Sequence, residues 1–204
     1  MKRLILGILI AAALWFLMFS PLTGGMFNFW AAMSISAAVL IGISFLFNKN
    51  FWQQFSFSLK DCLIGVVSAV VLWGVFYAGD YFSSLLFDFA KPQVHSIYQL
   101  RDGQNPLYIA LLLLFLIGPA EEIFWRGYVQ RTIGKKYGEW VAVFAATAIY
   151  ALAHVWAGNF MLVMAALVCG GFWALIYKWN KNIVTVIISH AIWDVMVFVL
   201  FPIK

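Results

Sequence analysis

Residues 106–126 read PLYIALLLLFLIGPAEEIFWR, a run without a charge from Pro106 to Ala120 that leads directly into Glu121, Glu122 and Arg126. The run lacks the apolar-polar alternation of a barrel strand. In hydrocarbon every backbone donor and acceptor must be paired within its own segment, so a helix is the consistent reading. Comparable runs free of Asp, Glu, Lys and Arg cover Leu4–Asn48, Cys62–Gly79 and Trp140–Tyr177, each near or above the roughly 17–25 residues that span a bilayer. With 65% of residues hydrophobic, 10% charged and a mean hydropathy of +0.93, the chain is too apolar for an ordinary soluble domain. The expected fold class is an all-α integral membrane protein, a bundle of about seven transmembrane helices with a buried polar cluster.

Breakers and charges place these helices near 4–20, 27–47, 62–82, 106–134, 139–157, 159–178 and 182–202. The more polar stretch from Asp88 to Asn105 reads as an interfacial loop or a short surface helix. The chain is taken as one membrane domain, with N-terminal helices and the interfacial segment over 1–105 and a core over 106–202. Met1-Lys2-Arg3 and the apolar run behind it resemble a secretory signal, but no small-residue cleavage site follows Phe19, so a first transmembrane helix is expected. Cys62 and Cys169 lie in different apolar runs and read as packed thiols.

The net charge of +5 comes from thirteen Lys and Arg residues scattered at segment ends rather than gathered in a stripe, which argues against nucleic acid as a partner. Ten of them, Lys2, Arg3, Lys49, Lys60, Arg126, Arg131, Lys135, Lys136, Lys178 and Lys181, fall on one side of the proposed spans, against Lys91, Arg101 and Lys204 on the other. The bias predicts a multi-pass protein of the cell membrane with the N-terminus cytoplasmic and the C-terminus outside.

Glu121, Glu122, Arg126, His154, His190 and Asp194 lie inside hydrophobic segments. An ionised side chain mid-helix costs about 2.5–3.5 kcal/mol on insertion scales, so such residues face the bundle interior and pair or serve a function. Glu122 and Arg126, four apart, share a helix face and read as a structural ion pair. Glu121 points about 100° away from Glu122, with no basic residue to match it, and suits a general base. Counted from the turn at Lys136-Tyr137-Gly138, Glu121 and His154 each lie about 24–26 Å along a helix at 1.5 Å per residue, so a carboxylate and an imidazole meet at one depth. His190 and Asp194 leave one face of the last helix, either as a local hydrogen bond or as a pair pointing into a shared cavity. Gly118-Pro119 should kink its helix beside them, and Ala166, Gly170 and Ala174 allow a close helix contact.

Three segments now carry a resemblance: Glu121-Glu122-Ile123-Phe124-Trp125-Arg126, Tyr150-Ala151-Leu152-Ala153-His154 and His190-Ala191-Ile192-Trp193-Asp194. In this order they resemble the motifs EExxxR, FxxxH and HxxxN or HxxxD of the CAAX proteases and bacteriocin-processing enzymes, also called the Abi or type II CAAX prenyl endopeptidase family. Tyr150 stands where the pattern has Phe, and the likeness covers roughly residues 106–202. It implies an intramembrane endopeptidase acting on a peptide or membrane-protein substrate among membrane lipid, in a setting such as bacteriocin self-immunity or peptide processing. Glu121 and His154 would activate water, while His190 and the residue at 194 would help stabilise the oxyanion. Because an ionised Asp194 cannot donate a hydrogen bond to an oxyanion, it would instead orient His190, stay protonated or ligate a metal. The family is often labelled metalloprotease. A divalent metal such as zinc on His154, His190 and Asp194 is therefore the alternative to metal-free activation of water, which is favoured because HExxH is absent. An ion- or proton-coupled transporter, or a non-catalytic immunity or partner protein, are the competing functions.

Overall fold

The computed structural model describes residues 1–48 and 50–203, so Lys49 and Lys204 of the basic-residue count lie outside the described residues. Within them the fold is all helix, and seven helices are long and apolar enough to cross a bilayer. These are α1 (Lys2–Phe19), α2 (Phe29–Phe47), α3 (Leu59–Leu86), α5 (Pro106–Tyr137), α6 (Glu139–Ala157), α7 (Phe160–Asn180) and α8 (Ile183–Leu200). The short α4 (Ala90–Tyr98) occupies the polar stretch between α3 and α5. Large apolar side chains cover the outside as well as the interior: Leu9, Ile35, Val67 and Phe144 are all exposed. In water such a surface would drive association, whereas against lipid tails it costs nothing.

Helix starts are set by side-chain caps. Asn28, Ser58, Asn105, Asn159 and Asn182 each accept a hydrogen bond from a backbone N–H two or three residues on, satisfying donors the first turn leaves free. Gly138, at φ +92°, makes the turn between α5 and α6 in a backbone region that a side chain would oppose. The third helix runs several residues beyond the expected 62–82 at both ends. The charged Asp61 is accommodated in its first turn because Ser58, Asn180 and Thr185 all donate to its carboxylate.

In α5 the expected distortion takes a specific form. Pro119 has no N–H to give to the helix, and the turn before it widens to π-helical over Leu113–Ile117, with the Gly118 N–H reaching the Leu113 carbonyl. A second π-helical stretch, Trp125–Gln130, follows the glutamates, and a third, Met196–Leu200, ends α8. Helix α8 packs along α3 and α5, α6 packs along α7, and α1 lies against α2 and the last turn of α6. The small-residue face expected over Ala166, Gly170 and Ala174 meets α6 at Gly170, against Tyr150 and Thr147, and two long side chains of α5 reach its carbonyls. Arg126 Nη2 donates to the Gly170 carbonyl at 3.1 Å and Gln130 Nε2 to the Ala174 carbonyl at 2.9 Å. Arg126 is 1% exposed in this contact, so its charge is spent inside the bundle and not at a membrane face.

Candidate active site

Helices α5, α6 and α8 bring Glu121, His154, His190 and Asp194 to the wall of one cavity of about 540 Å³. The rest of that wall is largely apolar and aromatic, with Phe76, Trp173 and Phe198 among the lining residues. All four side chains are buried, as are Glu122 and Arg126.

Glu121 has a partner that the lack of a matching basic residue in the sequence does not suggest. The Tyr150 hydroxyl donates to Glu121 Oε2 at 2.8 Å. The substitution of Tyr for Phe in the second motif thus does more than keep a ring, since it places a donor on the candidate base. The same residue also holds His154, whose Nδ1 lies 2.8 Å from the Tyr150 carbonyl oxygen. A carbonyl can only accept, so Nδ1 carries the hydrogen and Nε2 carries the lone pair. That Nε2 accepts from the indole N–H of Trp15 at 3.1 Å. Glu121 and His154 therefore share the cavity and Tyr150, and the ring nitrogens of His154 are engaged by Tyr150 and Trp15.

Glu122 pairs with Arg126 at 2.8 Å, and the same oxygen, Oε1, accepts from His190 Nδ1 at 2.7 Å. The residue read as one half of a structural ion pair is thus also the orienting partner of a cavity-lining imidazole. His190 Nε2 lies 3.5 Å from Asp194 Oδ2, an ion-pair distance longer than an ordinary hydrogen bond. Trp173 stacks on the His190 ring with centroids 3.8 Å apart and planes 18° from parallel, and its own N–H is anchored on Ser189 Oγ. Stacking on an aromatic face suits an imidazole that takes up positive charge.

Zinc requires several of these atoms free to face one point. His190, bonded to Glu122 through Nδ1, keeps Nε2 for a ligand, but His154 Nε2 is held by Trp15, and among the described residues no three His, Cys, Asp or Glu side chains gather as a ligand set. The arrangement does not fit a zinc centre built on His154, His190 and Asp194.

The segment that carries this geometry also matches a family. Residues 103–196 fit the family model described as type II CAAX prenyl endopeptidase Rce1-like. That segment is similar to a CAAX-type endopeptidase domain. The match supports a membrane-embedded protease, and it spans the glutamates, both cavity histidines and Asp194. Neither the search of curated proteins nor that of solved structures returned a match. Trp15, whose indole reaches His154 on the cavity wall, lies outside the matched residues, and no sequence signal separates it from the other nine tryptophans. Tyr150 did carry a signal, its departure from the family's Phe.

Proposed function

We propose that the protein is an intramembrane endopeptidase that hydrolyses a peptide bond of a membrane-associated protein or peptide, with Glu121 as the base for water. The observation that carries this reading is the convergence of Glu121, His154, His190 and Asp194 on one largely apolar cavity inside a segment of CAAX-type endopeptidase sequence. A substrate segment extended across the cavity presents its carbonyl carbon to a water between Glu121 and His154. Glu121 takes a proton from that water as oxygen attacks the carbon, and Tyr150 donates to the other side of the carboxylate. His190, held at Nδ1 by Glu122, presents Nε2 for hydrogen bonding to the developing oxyanion when protonated, with Asp194 beside it. The C–N bond then breaks, and the proton held by Glu121 passes to the leaving amine.

The test is cleavage per folded molecule by purified protein in liposomes, using membrane peptides with and without a lipidated cysteine. The Glu121→Gln variant keeps an acceptor for the Tyr150 hydroxyl, so its melting curve should stay near the parent's. Its turnover should fall by about 10²–10⁴-fold, the range for loss of a general base. Cleavage by Glu121→Gln at the parental rate would return the cluster to transport or packing.

A further inference from the structure

Trp15 lies on α1, and its side chain is 1% exposed among the buried residues of the bundle. Its ring stands edge-on to His154, with centroids 5.9 Å apart at 79°, and edge-on to Trp125. The indole N–H is a donor only, so a buried tryptophan needs some acceptor. Elsewhere in the chain that acceptor is ordinary: Trp30 gives to the Leu100 carbonyl, Trp73 to the Phe201 carbonyl and Trp173 to Ser189 Oγ. Trp125 and Trp193 are buried with no acceptor among the described residues, so indole satisfaction is not enforced in this interior. Trp15, by contrast, is aimed at the imidazole on the cavity wall.

A neutral imidazole whose hydrogen sits on Nδ1 has one in-plane lone pair, on Nε2. Tyr150 fixes the hydrogen on Nδ1 of His154, and the Trp15 N–H occupies Nε2. A water molecule in the cavity cannot donate to His154 while that bond lasts. We infer that Trp15 is a latch on His154: its indole holds the Nε2 lone pair, and that bond must open before the imidazole can meet the water. The last step rests on the endopeptidase reading, whereas the latch is a property of the histidine alone. Control of the site would then come from the first transmembrane helix, outside the segment 103–196.

The experiment removes the N–H and keeps the shape. Position 15 receives β-(3-benzothienyl)alanine, which has sulfur in place of the indole N–H, and in a second protein the substitution Trp15→Phe. Each folded protein in detergent reacts with diethyl pyrocarbonate, which acylates an unprotonated imidazole nitrogen, and peptide mass mapping follows His95, His154 and His190 separately. Losing one hydrogen bond between neutral groups should speed labelling of His154 by about two- to tenfold, with His95 and His190 unchanged. The catalytic efficiency kcat/KM for a cleaved peptide should rise by a similar factor. An unchanged rate at His154 in the benzothienyl protein overturns the latch. A rise at His154 and His190 together marks general loosening of the bundle and overturns it as well. Faster labelling of His154 alone, with no peptide cleaved by any of the proteins, supports the latch and removes the endopeptidase reading instead.

Discussion

Glu122 and His190 are 68 residues apart in the chain and 2.7 Å apart in space, Oε1 to Nδ1. The same oxygen takes Arg126 Nη1 at 2.8 Å, while Oε2 is buried with no hydrogen-bond partner among the described residues. One carboxylate oxygen thereby ties α5 to α8 and fixes which nitrogen of His190 faces the cavity. Such a bridge makes Glu122 both a fold residue and a site residue. For Glu122→Gln, loss of a buried charge partner should cost about 3–5 kcal/mol of stability. Turnover per folded molecule should also fall by about 10–100-fold, the scale for removing a group that orients a functional imidazole. Melting curves and cleavage rates normalised to folded protein measure the two effects. Parental turnover in the folded fraction would leave Glu122 a purely structural partner of Arg126.

Tyr150→Phe deletes one oxygen and restores the aromatic residue of the family pattern. The ring keeps its edge-on contact with His154, centroids 4.8 Å apart, and the backbone carbonyl keeps its hold on Nδ1. What disappears is the hydroxyl donor to Glu121 Oε2. Stability should drop by about 1 kcal/mol, the net worth of one hydrogen bond. Cavity water can take the vacated place beside the carboxylate, so turnover should stay within about tenfold of the parent, as expected for loss of a group that does not itself transfer the proton. A loss as deep as that of Glu121→Gln would make the phenol a participant in the chemistry.

The parts of this structure that were legible in the sequence are those governed by spacing along one helix. Glu122 and Arg126 are four apart and pair, and the turn at Gly138 sits where the charges and glycine place it. Segment ends were less legible in α3, because a charge was read as an end although hydroxyl and amide groups of three neighbouring side chains support Asp61 within the helix. Contacts between helices were beyond such reading. The Trp15 to His154 hydrogen bond joins residues 139 apart, and nothing local marks either as the other's partner. The π-helical stretches Leu113–Ile117 and Trp125–Gln130 also break the 100° per residue on which a helical wheel depends. Directions drawn around α5 from the glutamates therefore hold over the Glu122–Arg126 pair but drift beyond either stretch.

The orientation proposed from the basic residues places the α5–α6 turn in the cytoplasm. Arg126 no longer counts toward that bias, since it is buried against Glu122 and Gly170. Lys135 and Lys136 remain in the last turn of α5, beside the turn at Gly138. A cysteine replacing Lys135 in a variant lacking Cys62 and Cys169 should be protected from an impermeant thiol reagent in intact cells and react once the membrane is opened. Reaction in intact cells would invert the topology.

Two adjacent glycines of α7 provide a test of how tightly the site is built. A Cβ on Gly170 would lie 3.0 Å from Tyr150 Cδ1 and 3.7 Å from Arg126 Nη2, whereas on Gly171 the nearest atom is Thr147 Cγ2 at 3.8 Å. The Tyr150 ring has little room to retreat. It is packed edge-on to Trp125 with centroids 5.4 Å apart, and Arg126 lies over its face at 4.9 Å. A methyl at 170 must therefore move the ring, which carries the hydroxyl on Glu121, or push α7 away from α6, which disturbs the bond from Arg126 to the Gly170 carbonyl. Gly170→Ala should lose about 1–3 kcal/mol, the usual cost of overpacking, and lower turnover with it. Gly171→Ala meets only ordinary contact and gains the helix preference of alanine, so it should be neutral or stabilising by about 0.5–1 kcal/mol with turnover unchanged. Paired melting curves and cleavage rates compare the two directly. If both variants behave alike, Tyr150 has slack around it, and the close approach of α7 does not hold Glu121 in place.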